Sequence, residues 1–373
     1  MGCAASAKED QYGIRKRLTV GYVDPDVADS IGTGDVDEQE RGLMTRLNNE
    51  SLLDLLERAD NVGKKVSIGS KTDESRVSFS NKSTNLMGDE LDPAVMNMGY
   101  TCRKGLKPES PNQDSWFCVR VENNFSMYAV FDGHGLEGHS VSNYVKDTLP
   151  KIILGDPRFT SNISQVLKDA FVKMQSLVVQ ADAAKVFEAQ MSGTTATVAV
   201  YNANSNLLTV GHVADSTAVL GSKKDGKWGG IALTRDHKPN LKDEKARITK
   251  AGGQVIFDGH VNHRVFAKNG KYPGLNMSRC LGDLLGHRDC GITAEPEVSQ
   301  RTLQESDQVL LVCSDGVWEF IQPQQAVDIV VAYAPEKAMH AAEKLAKKAW
   351  DLWIKEEGGS VVDDITVVLT WFK

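Results

Sequence analysis

The feature that most constrains the fold is a strand-forming run that ends in an acidic, glycine-rich turn. Tyr128–Gly135 reads YAVFDGHG, so the strand-forming residues stop at Asp132 and a glycine stands on each side of His134. Alternating apolar positions bury a strand, whereas glycines allow the backbone to turn sharply. We therefore expect Asp132 and His134 to lie at the end of a buried strand and to face a cleft.

Two further stretches repeat this pattern. Val309–Cys313 is an apolar run that leads through a serine to Asp315, and Asp363 and Asp364 directly precede the apolar run Ile365–Leu369. Several carboxylates at the ends of buried strands repel each other unless a positive charge lies between them. The sequence therefore predicts a cation site built from strand ends.

Composition and charge restrict the function classes. With 373 residues and 41% hydrophobic content, the chain can bury a large core. A net charge of -7 argues against nucleic-acid binding, because a polyanion would be repelled. The six cysteines show no Cys-x-x-Cys spacing, which favours a reducing compartment over a disulfide framework. No long apolar run is present, so we expect neither secretion nor a membrane-spanning segment.

The first residues carry a lipidation pattern. Gly2, Cys3 and Ser6 fit the pattern Met-Gly-x-x-x-Ser/Thr, in which the amine of Gly2 accepts a myristoyl chain and Cys3 beside it accepts a palmitoyl chain. Two acyl chains give stable membrane anchoring, whereas one gives only reversible binding. We expect a peripheral protein on the cytoplasmic face of membranes, or a cytoplasmic protein where acylation is absent.

The composition changes along the chain and predicts two regions. Residues 1–92 are rich in polar residues without a sustained apolar period, which predicts a largely disordered extension with one short amphipathic helix near Leu52–Leu56. Arg76–Phe79 resembles an Arg-Val-x-Phe docking peptide, a pattern short enough to arise by chance. Residues 93–373 alternate strand-like runs and amphipathic helices, and we expect them to form the folded domain.

Short links between strand-like runs favour antiparallel sheets, because parallel strands need longer crossover connections. Trp116–Val121 and Phe125–Phe131 are joined across two asparagines, and Ser192–Val200 and Leu207–Val213 form a second such pair. The spacing of apolar residues predicts three long helices over His139–Leu154, Ser164–Gln190 and Pro335–Lys355.

Three loop regions have sequence features of their own. The sequence of Gly221–Lys227 resembles that of a phosphate-binding loop. Because Trp228 stands where that loop needs Ser or Thr, we interpret the segment as a hairpin turn. His260–Gly274 is glycine-rich and predicts an irregular flap over the cleft. Arg279 and Asp283 are expected to organise a further loop by charge pairing.

Ten sequence blocks, in order, resemble the metal-dependent Ser/Thr protein phosphatases of type 2C. The blocks lie between about residues 100 and 370 and read NQDSW, VFDGHG, SGTTATV, GHVADSTAVL, LTRDHKP, RITKAGGQV, PGLNMSRCLGD, EPEV, LLVCSDGVWE and DDITVVL. The resemblance implies an α+β fold, an α-β-β-α sandwich of two antiparallel sheets flanked by helices. It also implies two Mn²⁺ or Mg²⁺ ions in a cleft at one end of the sheets.

The resemblance assigns metal-binding roles to particular residues. The implied ligands are the carboxylates and one backbone carbonyl of Asp114, Asp132, Gly133, Asp315 and Asp363. Such oxygen ligands suit hard cations. A weaker third metal site is implied at Asp215. Asp364 is expected to contact the ligand residues without binding the metal itself.

The implied reaction is hydrolysis of phosphoserine and phosphothreonine in phosphorylated proteins by direct attack of a metal-bridging hydroxide. Two cations about 3.5–4 Å apart activate the water and neutralise charge on the phosphoryl oxygens. The family places His134 as the general acid beside Asp132. Lys104 is the first candidate for binding the phosphate, and Arg103 and Lys107 are the others.

The sequence departs from the family pattern at three places, and two other functions stay open. Gln113 stands where some members have Glu, His212 and Ala214 stand where Asn and Gly are commoner, and the basic residues are offset from Asn112. None of these departures removes a metal ligand, so we expect activity and a monomeric enzyme. The alternatives are a phosphoprotein-binding pseudophosphatase and an enzyme restricted to small phosphate esters.

Overall fold

The computed structural model describes residues 52–56, 64–71, 77–82, 84–88, 92–107, 110–259 and 261–372, so the predicted lipidation residues Gly2 and Cys3 lie outside the described residues. In chain order the elements are helix α1 (Leu52–Leu56), strands β1 (Val66–Lys71) and β2 (Thr84–Gly88), α2 (Pro93–Met96), β3 (Met98–Arg103), β4 (Asp114–Val121), β5 (Phe125–His134), α3 (Gly138–Gly155), α4 (Ile163–Ala183), β6 (Gly193–Thr194), β7 (Ala196–Asn202), β8 (Leu207–Val213), β9 (Thr217–Lys224), β10 (Lys227–Ala232), α5 (Lys242–Lys250), β11 (Gly253–Phe257), β12 (His263–Ala267), β13 (Pro273–Leu275), β14 (Leu281–Gly282), α6 (Leu284–Cys290), β15 (Glu297–Thr302), β16 (Asp307–Cys313), α7 (Asp315–Trp318), α8 (Pro323–Val330), a 3-10 turn (Pro335–Lys337), α9 (Ala338–Glu356) and β17 (Ile365–Trp371).

Two antiparallel sheets stack face to face. The larger has the strand order β15-β8-β7-β5-β4-β1-β2, with β6 and β14 attached beyond the end of β5. The smaller has the order β10-β9-β16-β17-β3. Helices α3 and α4 cover the outer face of the larger sheet, and α8 and α9 cover the outer face of the smaller. The predicted α-β-β-α sandwich and α+β class are confirmed.

The side chains of the central strands alternate between two apolar cores. In β5, Met127, Ala129 and Phe131 pack toward the helices, whereas Tyr128 and Val130 lie between the sheets. Both faces of such a strand are covered, so its sequence reads as a nearly continuous apolar run. This is why the change to acidic residues after the run marks the end of the sandwich.

Two strands precede residue 93, the predicted domain boundary. β1 pairs with β4 on one side and with β2 on the other, and Ile68 in β1 is buried. The expectation of disorder therefore does not hold for these strands, although the wider division of the chain stays a prediction. The helix near Leu52–Leu56 forms as predicted and buries leucine side chains in the core beneath α3.

Residues 79–82 run along the edge of β3. The amide of Phe79 donates to the carbonyl of Lys104 at 2.7 Å, and the Phe79 ring packs on Trp350 with centroids 4.6 Å apart. The guanidinium group of Arg103 lies over the Phe79 ring, 4.2 Å from its centroid. Phe79 is therefore engaged within the chain, which argues against the docking-peptide interpretation; Arg76 lies outside the described residues.

Three loop and helix predictions have different outcomes. Helix α4 ends at Ala183 and not at Gln190, because the chain turns at Lys185, whose φ of 60° is left-handed. The hairpin over Gly221–Lys227 is confirmed as the β9–β10 turn. The expected irregular flap instead contains β12 and part of β13 of a three-stranded sheet, β11-β12-β13. Over the described residues, the helices are too short or too polar to span a bilayer.

Candidate active site

The predicted acidic residues come together at one end of the sandwich because four strand ends meet there. Asp114 begins β4 and lies directly opposite Asp132 near the end of β5. In the other sheet, β16 runs antiparallel to β17, so Asp315 after β16 approaches Asp363 before β17. Ser314 joins the two sheets, since its Oγ donates to Oδ2 of Asp114 at 2.8 Å.

The electrostatics of this cluster are those of crowded negative charges. Burial, followed by the charges of Asp114, Asp315 and Asp363, raises the pKa of Asp132 well above its usual value. Burial and the charges of Asp363 and Asp215 likewise raise the pKa of Asp315. Carboxylates perturbed in this way store unfavourable energy that a bound cation relieves.

Backbone geometry shapes the two turns that carry these residues. A Cβ atom on Gly133 would lie 2.3 Å from the carbonyl oxygen of Gly138, so only glycine fits at this predicted carbonyl ligand. Asp364 accepts the amide of Gly105 on Oδ1 and the amide of Gln113 on Oδ2, each at 2.7 Å. Asp364 thus fixes the segment before Asp114, and its predicted role beside the metal ligands stays a prediction.

The three basic candidates for phosphate binding lie in different environments. Lys107 is partly exposed and its Nζ contacts Oδ1 of Asp363. Lys104 is fully buried, and its Nζ donates to the carbonyl of Lys107 at 2.7 Å. Arg103 is bound to Glu343 and to the carbonyl of Phe79. The geometry therefore disfavours Lys104 and Arg103 and favours Lys107, and the assignment itself stays a prediction.

Asp215, the predicted third-site acid, lies close to the cluster with a lysine partner that sequence reasoning missed. Its Oδ2 lies 2.5 Å from Nζ of Lys238, whereas its buried Oδ1 has no hydrogen-bond partner among the described residues. Although burial alone would lower the pKa of Lys238, the charge and hydrogen bond of Asp215 outweigh it and raise that pKa. The preceding Ala214 has a left-handed φ of 72°, which explains why glycine is commoner there.

His134, the predicted general acid, ends β5 and is held by a second residue that sequence reasoning misjudged. Nε2 of His134 lies 2.5 Å from Oδ2 of Asp283, which is fully buried. Asp283 therefore pairs with His134, whereas Arg279 pairs with Glu244, so the expected pairing of Arg279 with Asp283 is wrong. Burial lowers the pKa of His134, but the charge and hydrogen bond of Asp283 more than compensate and raise it.

Comparisons with known proteins agree with this arrangement. A sequence model described as Protein phosphatase 2C matches residues 103–353. The chain belongs to the protein phosphatase 2C family. It is 32% identical over 287 residues to "Probable protein phosphatase 2C 61" of Arabidopsis thaliana, covering 75% of this chain and 80% of that protein. It is also 32% identical over 274 residues to "Probable protein phosphatase 2C 48" of Oryza sativa subsp. japonica, covering 67% of this chain and 76% of that protein.

A solved structure supports the fold. The serine-threonine phosphatase 2C from Toxoplasma gondii aligns with a TM-score of 0.64 at 21% identity, over 74% of this chain and 94% of that chain. Membership of the protein phosphatase 2C family confirms the predicted family and the predicted enzyme class, a protein-serine/threonine phosphatase. The pseudophosphatase alternative finds no support in these comparisons.

The acidic cluster has the donor chemistry that the cations of a protein phosphatase 2C family member require. Its side-chain donors are all carboxylate oxygens, the ligands that Mg²⁺ and Mn²⁺ prefer. Oδ1 of Asp315 is buried and has no hydrogen-bond partner among the described residues, and the same holds for Oδ1 of Asp215. Buried carboxylate oxygens without donors are suited to bind a cation, so the residues fit the group that the family implies.

The described part of this protein phosphatase 2C family member contains two other groups of potential metal ligands. Hydrogen bonds explain why the members of each group lie close together. His212 and His237 stack with ring centroids 4.5 Å apart, and Nε2 of His237 lies 3.1 Å from Glu297. The amide of Ala214 donates to Nδ1 of His237, so the ring proton is on Nε2 and is shared with Glu297. Burial, with the neighbouring positive charges, lowers the pKa of His237 to about 2.

The second group is His134, Cys280 and Asp283. Both the ring of His134 and the thiol of Cys280 approach the same oxygen, Oδ2 of Asp283, at 2.5 and 3.1 Å. Shared protons explain these short distances without a metal. Burial and the charge of Asp283 raise the pKa of Cys280, which keeps the thiol protonated.

Proposed function

We propose that the chain removes phosphate from phosphoserine and phosphothreonine in proteins with the help of two divalent cations. The observation that carries this proposal is the meeting of four aspartates from both sheets at one end of the sandwich, with the pKa values of Asp132 and Asp315 raised. Such a cluster is costly unless cations bind to it. A cation pair flanked by a partly exposed lysine and a histidine suits a phosphate ester.

The residues that would hold the cations are Asp114, Asp132, Asp315 and Asp363, with the backbone carbonyl of Gly133. When bound, Mg²⁺ or Mn²⁺ makes a water molecule nucleophilic at neutral pH and neutralises charge on the phosphoryl oxygens. Asp215, with its buried Oδ1, is the candidate for a weaker third site.

The other residues of the chain bind the phosphate and move a proton. Lys107 is partly exposed beside Asp363, and its ammonium group would bind a phosphate oxygen. His134 ends β5, two positions after Asp132, and from there it would protonate the serine or threonine oxygen as it leaves. Asp364 and Ser314 keep the ligand-bearing segments in register by hydrogen bonds.

The experiment that tests this function is phosphate release from a phosphothreonine peptide by the purified protein. We expect turnover with Mn²⁺ or Mg²⁺, no turnover with EDTA, and no turnover by Asp315→Asn. Asp307→Asn is the matched control, because Asp307 is a buried aspartate at the other end of β16, where it pairs with Arg301. Metal-independent turnover, or full activity of Asp315→Asn, would contradict the proposal.

The same assay distinguishes a protein phosphatase from an enzyme that is restricted to small phosphate esters. An enzyme restricted to small phosphate esters would hydrolyse p-nitrophenyl phosphate but not phosphothreonine peptides or phosphoproteins. We expect both kinds of substrate to be hydrolysed, because basic and acidic groups of the site are accessible to solvent. The Lys107 side chain is 32% exposed and that of Asp363 is 26% exposed.

We also propose that the N-terminus anchors the protein to the cytoplasmic face of a membrane. Gly2, Cys3 and Ser6 carry this proposal as a sequence pattern. Mass spectrometry of protein from cells should show a myristoyl group on Gly2 and a palmitoyl group on Cys3, and Gly2→Ala should shift the protein to the soluble fraction. An unmodified N-terminus in membrane-bound protein would overturn the proposal.

A further inference from the structure

The pair His134 and Asp283 is built into the fold from distant parts of the chain. The two residues are 149 positions apart in sequence, yet Nε2 of His134 lies 2.5 Å from Oδ2 of Asp283. The Asp283 side chain is 1% exposed, and His134 is its ion-pair partner among the described residues. The fold thus places a buried negative charge against one nitrogen of a histidine at the edge of the acidic cluster.

The backbone around Asp283 holds it in a restricted position. Asp283 has φ 45° and ψ 52°, the left-handed region, and its amide donates to the carbonyl of Ser192 at 2.9 Å. The neighbouring Gly193 leaves room for the pair, because a Cβ atom there would lie 2.2 Å from Oδ2 of Asp283 and 2.9 Å from Nε2 of His134. Backbone strain at a residue of this kind commonly marks a functional position.

We propose that Asp283 is a positioning residue that orients the ring of His134, the proposed general acid. This inference rests on the proposed phosphatase function. Asp283 occupies Nε2, whereas Nδ1 of His134 is buried and has no hydrogen-bond partner among the described residues. Asp283 thus leaves Nδ1 as the ring nitrogen for proton transfer, and the bound substrate must reach this nitrogen in the cleft.

The proton balance of the step is simple. As water attacks phosphorus and the bond from phosphorus to the serine or threonine oxygen breaks, that oxygen takes the proton from Nδ1 of His134. The ring becomes neutral and keeps its proton on Nε2, still bound to Asp283. The attacking water gives up one proton as it bonds to phosphorus, and this proton returns to Nδ1 through solvent before the next turnover.

The test compares two leaving groups. Loss of general-acid assistance slows the departure of a threonine alkoxide, whereas p-nitrophenolate is a stable anion that leaves without a proton. For Asp283→Asn we expect kcat on a phosphothreonine peptide to fall by about 10- to 100-fold and kcat on p-nitrophenyl phosphate to change by less than about 3-fold. Asparagine also tolerates the left-handed backbone of this position, so the substitution changes mainly the charge.

A double-mutant comparison tests whether Asp283 acts through His134. His134→Asn should show the same dependence on leaving group, and adding Asp283→Asn to it should cause little further loss, because the two residues act as one unit. Asp307→Asn, a buried aspartate remote from this pair, should show no dependence on leaving group. Additive losses in the double variant would overturn the inference.

The outcomes separate this inference from the proposed function. If the wild-type protein hydrolyses neither substrate with Mg²⁺ or Mn²⁺, the proposed function fails. If the wild type is active but Asp283→Asn loses both activities equally, the positioning role fails and the function stands. If Asp283→Asn does not fold, nitrogen NMR of His134 in the wild type decides: a hydrogen bond between Nε2 and Asp283 supports the inference, and its absence overturns it.

Discussion

Ser314 donates a hydrogen bond of 2.8 Å to Oδ2 of Asp114, and this bond joins the two sheets at the end where the acidic residues meet. The same hydroxyl oxygen accepts the amide of Thr366 in the neighbouring strand at 3.0 Å. Both Ser314 and Asp114 are fully buried. One hydroxyl therefore sets the distance between a predicted metal ligand of the larger sheet and the strand ends of the smaller sheet.

Ser314→Ala should weaken metal binding more than it weakens the fold. Removal of a hydrogen bond that orients a ligand lowers metal affinity by about 10- to 100-fold. Isothermal titration with Mn²⁺ measures this loss. Thr370→Val is the control, because Thr370 also joins the sheets, through the hydroxyl of Tyr128, but carries no ligand. Equal metal affinities of Ser314→Ala and the wild type would show that this bond does not position Asp114.

Substitutions of Lys107 and Lys104 should separate phosphate binding from support of the fold. Lys107→Ala removes a partly exposed charge beside Asp363, so we expect KM for a phosphopeptide to rise about 10-fold with kcat less affected. Lys104→Met removes a buried charge 3.9 Å from Asp364 and should lower the melting temperature without a comparable rise in KM. Steady-state kinetics and thermal unfolding of both variants make the comparison. A KM effect confined to Lys104→Met would restore Lys104 as the phosphate-binding residue.

The raised pKa of Asp132 predicts how the stability of the metal-free protein depends on pH. Because the folded protein holds this proton more tightly than the unfolded chain, unfolding releases a proton at pH values between the unfolded pKa of about 3.8 and the higher folded pKa. The free energy of unfolding therefore falls as pH rises through that window. Burial and the charges of Asp114 and Asp315 cause the effect.

The measurement is urea unfolding in EDTA across pH for the wild type and Asp132→Asn. The stability of the wild type relative to the variant should decrease as pH rises above about 4, since asparagine does not titrate. Saturating Mg²⁺ should stabilise the wild type at neutral pH by mass action, and the variant much less. If the free energies of unfolding of the two proteins in EDTA depended on pH in the same way, the neighbouring carboxylates would not raise the pKa of Asp132.

The sequence predicted those parts of the site that follow from a local pattern. Asp132 and Asp315 stand where an apolar strand ends, and that change of composition is visible within ten residues. Asp283 lacks such a signal, because its role depends on a partner 149 positions away and on a left-handed turn. Lys238 was missed for the same reason, since its contact with Asp215 joins two loops.

The first strand of the fold was missed because its pattern is short. Val66 and Ile68 are the alternating apolar positions of β1, with serines and a glycine between and after them, and such a run is also typical of a polar linker. Its strand structure depends on pairing with β4, more than 40 residues later in the chain. Tertiary pairing of this kind outweighs weak local propensity.

The position of β1 predicts that a chain cut at the proposed boundary is unstable. A fragment of residues 93–373 lacks β1, whose Ile68 is 1% exposed, and lacks Lys82, whose Nζ donates to the carbonyl of Asp114 at 3.0 Å. Removal of β1 also leaves β4 as an open edge, a site for aggregation. Each buried aliphatic side chain that is lost removes about 1.5–3 kcal/mol of stabilisation, so we expect the melting temperature to fall by roughly 10 °C.

A fragment of residues 51–373 keeps these contacts and should melt like the full chain. Equal melting temperatures and equal solubility of the two fragments would show that residues before 93 contribute nothing to the folded domain.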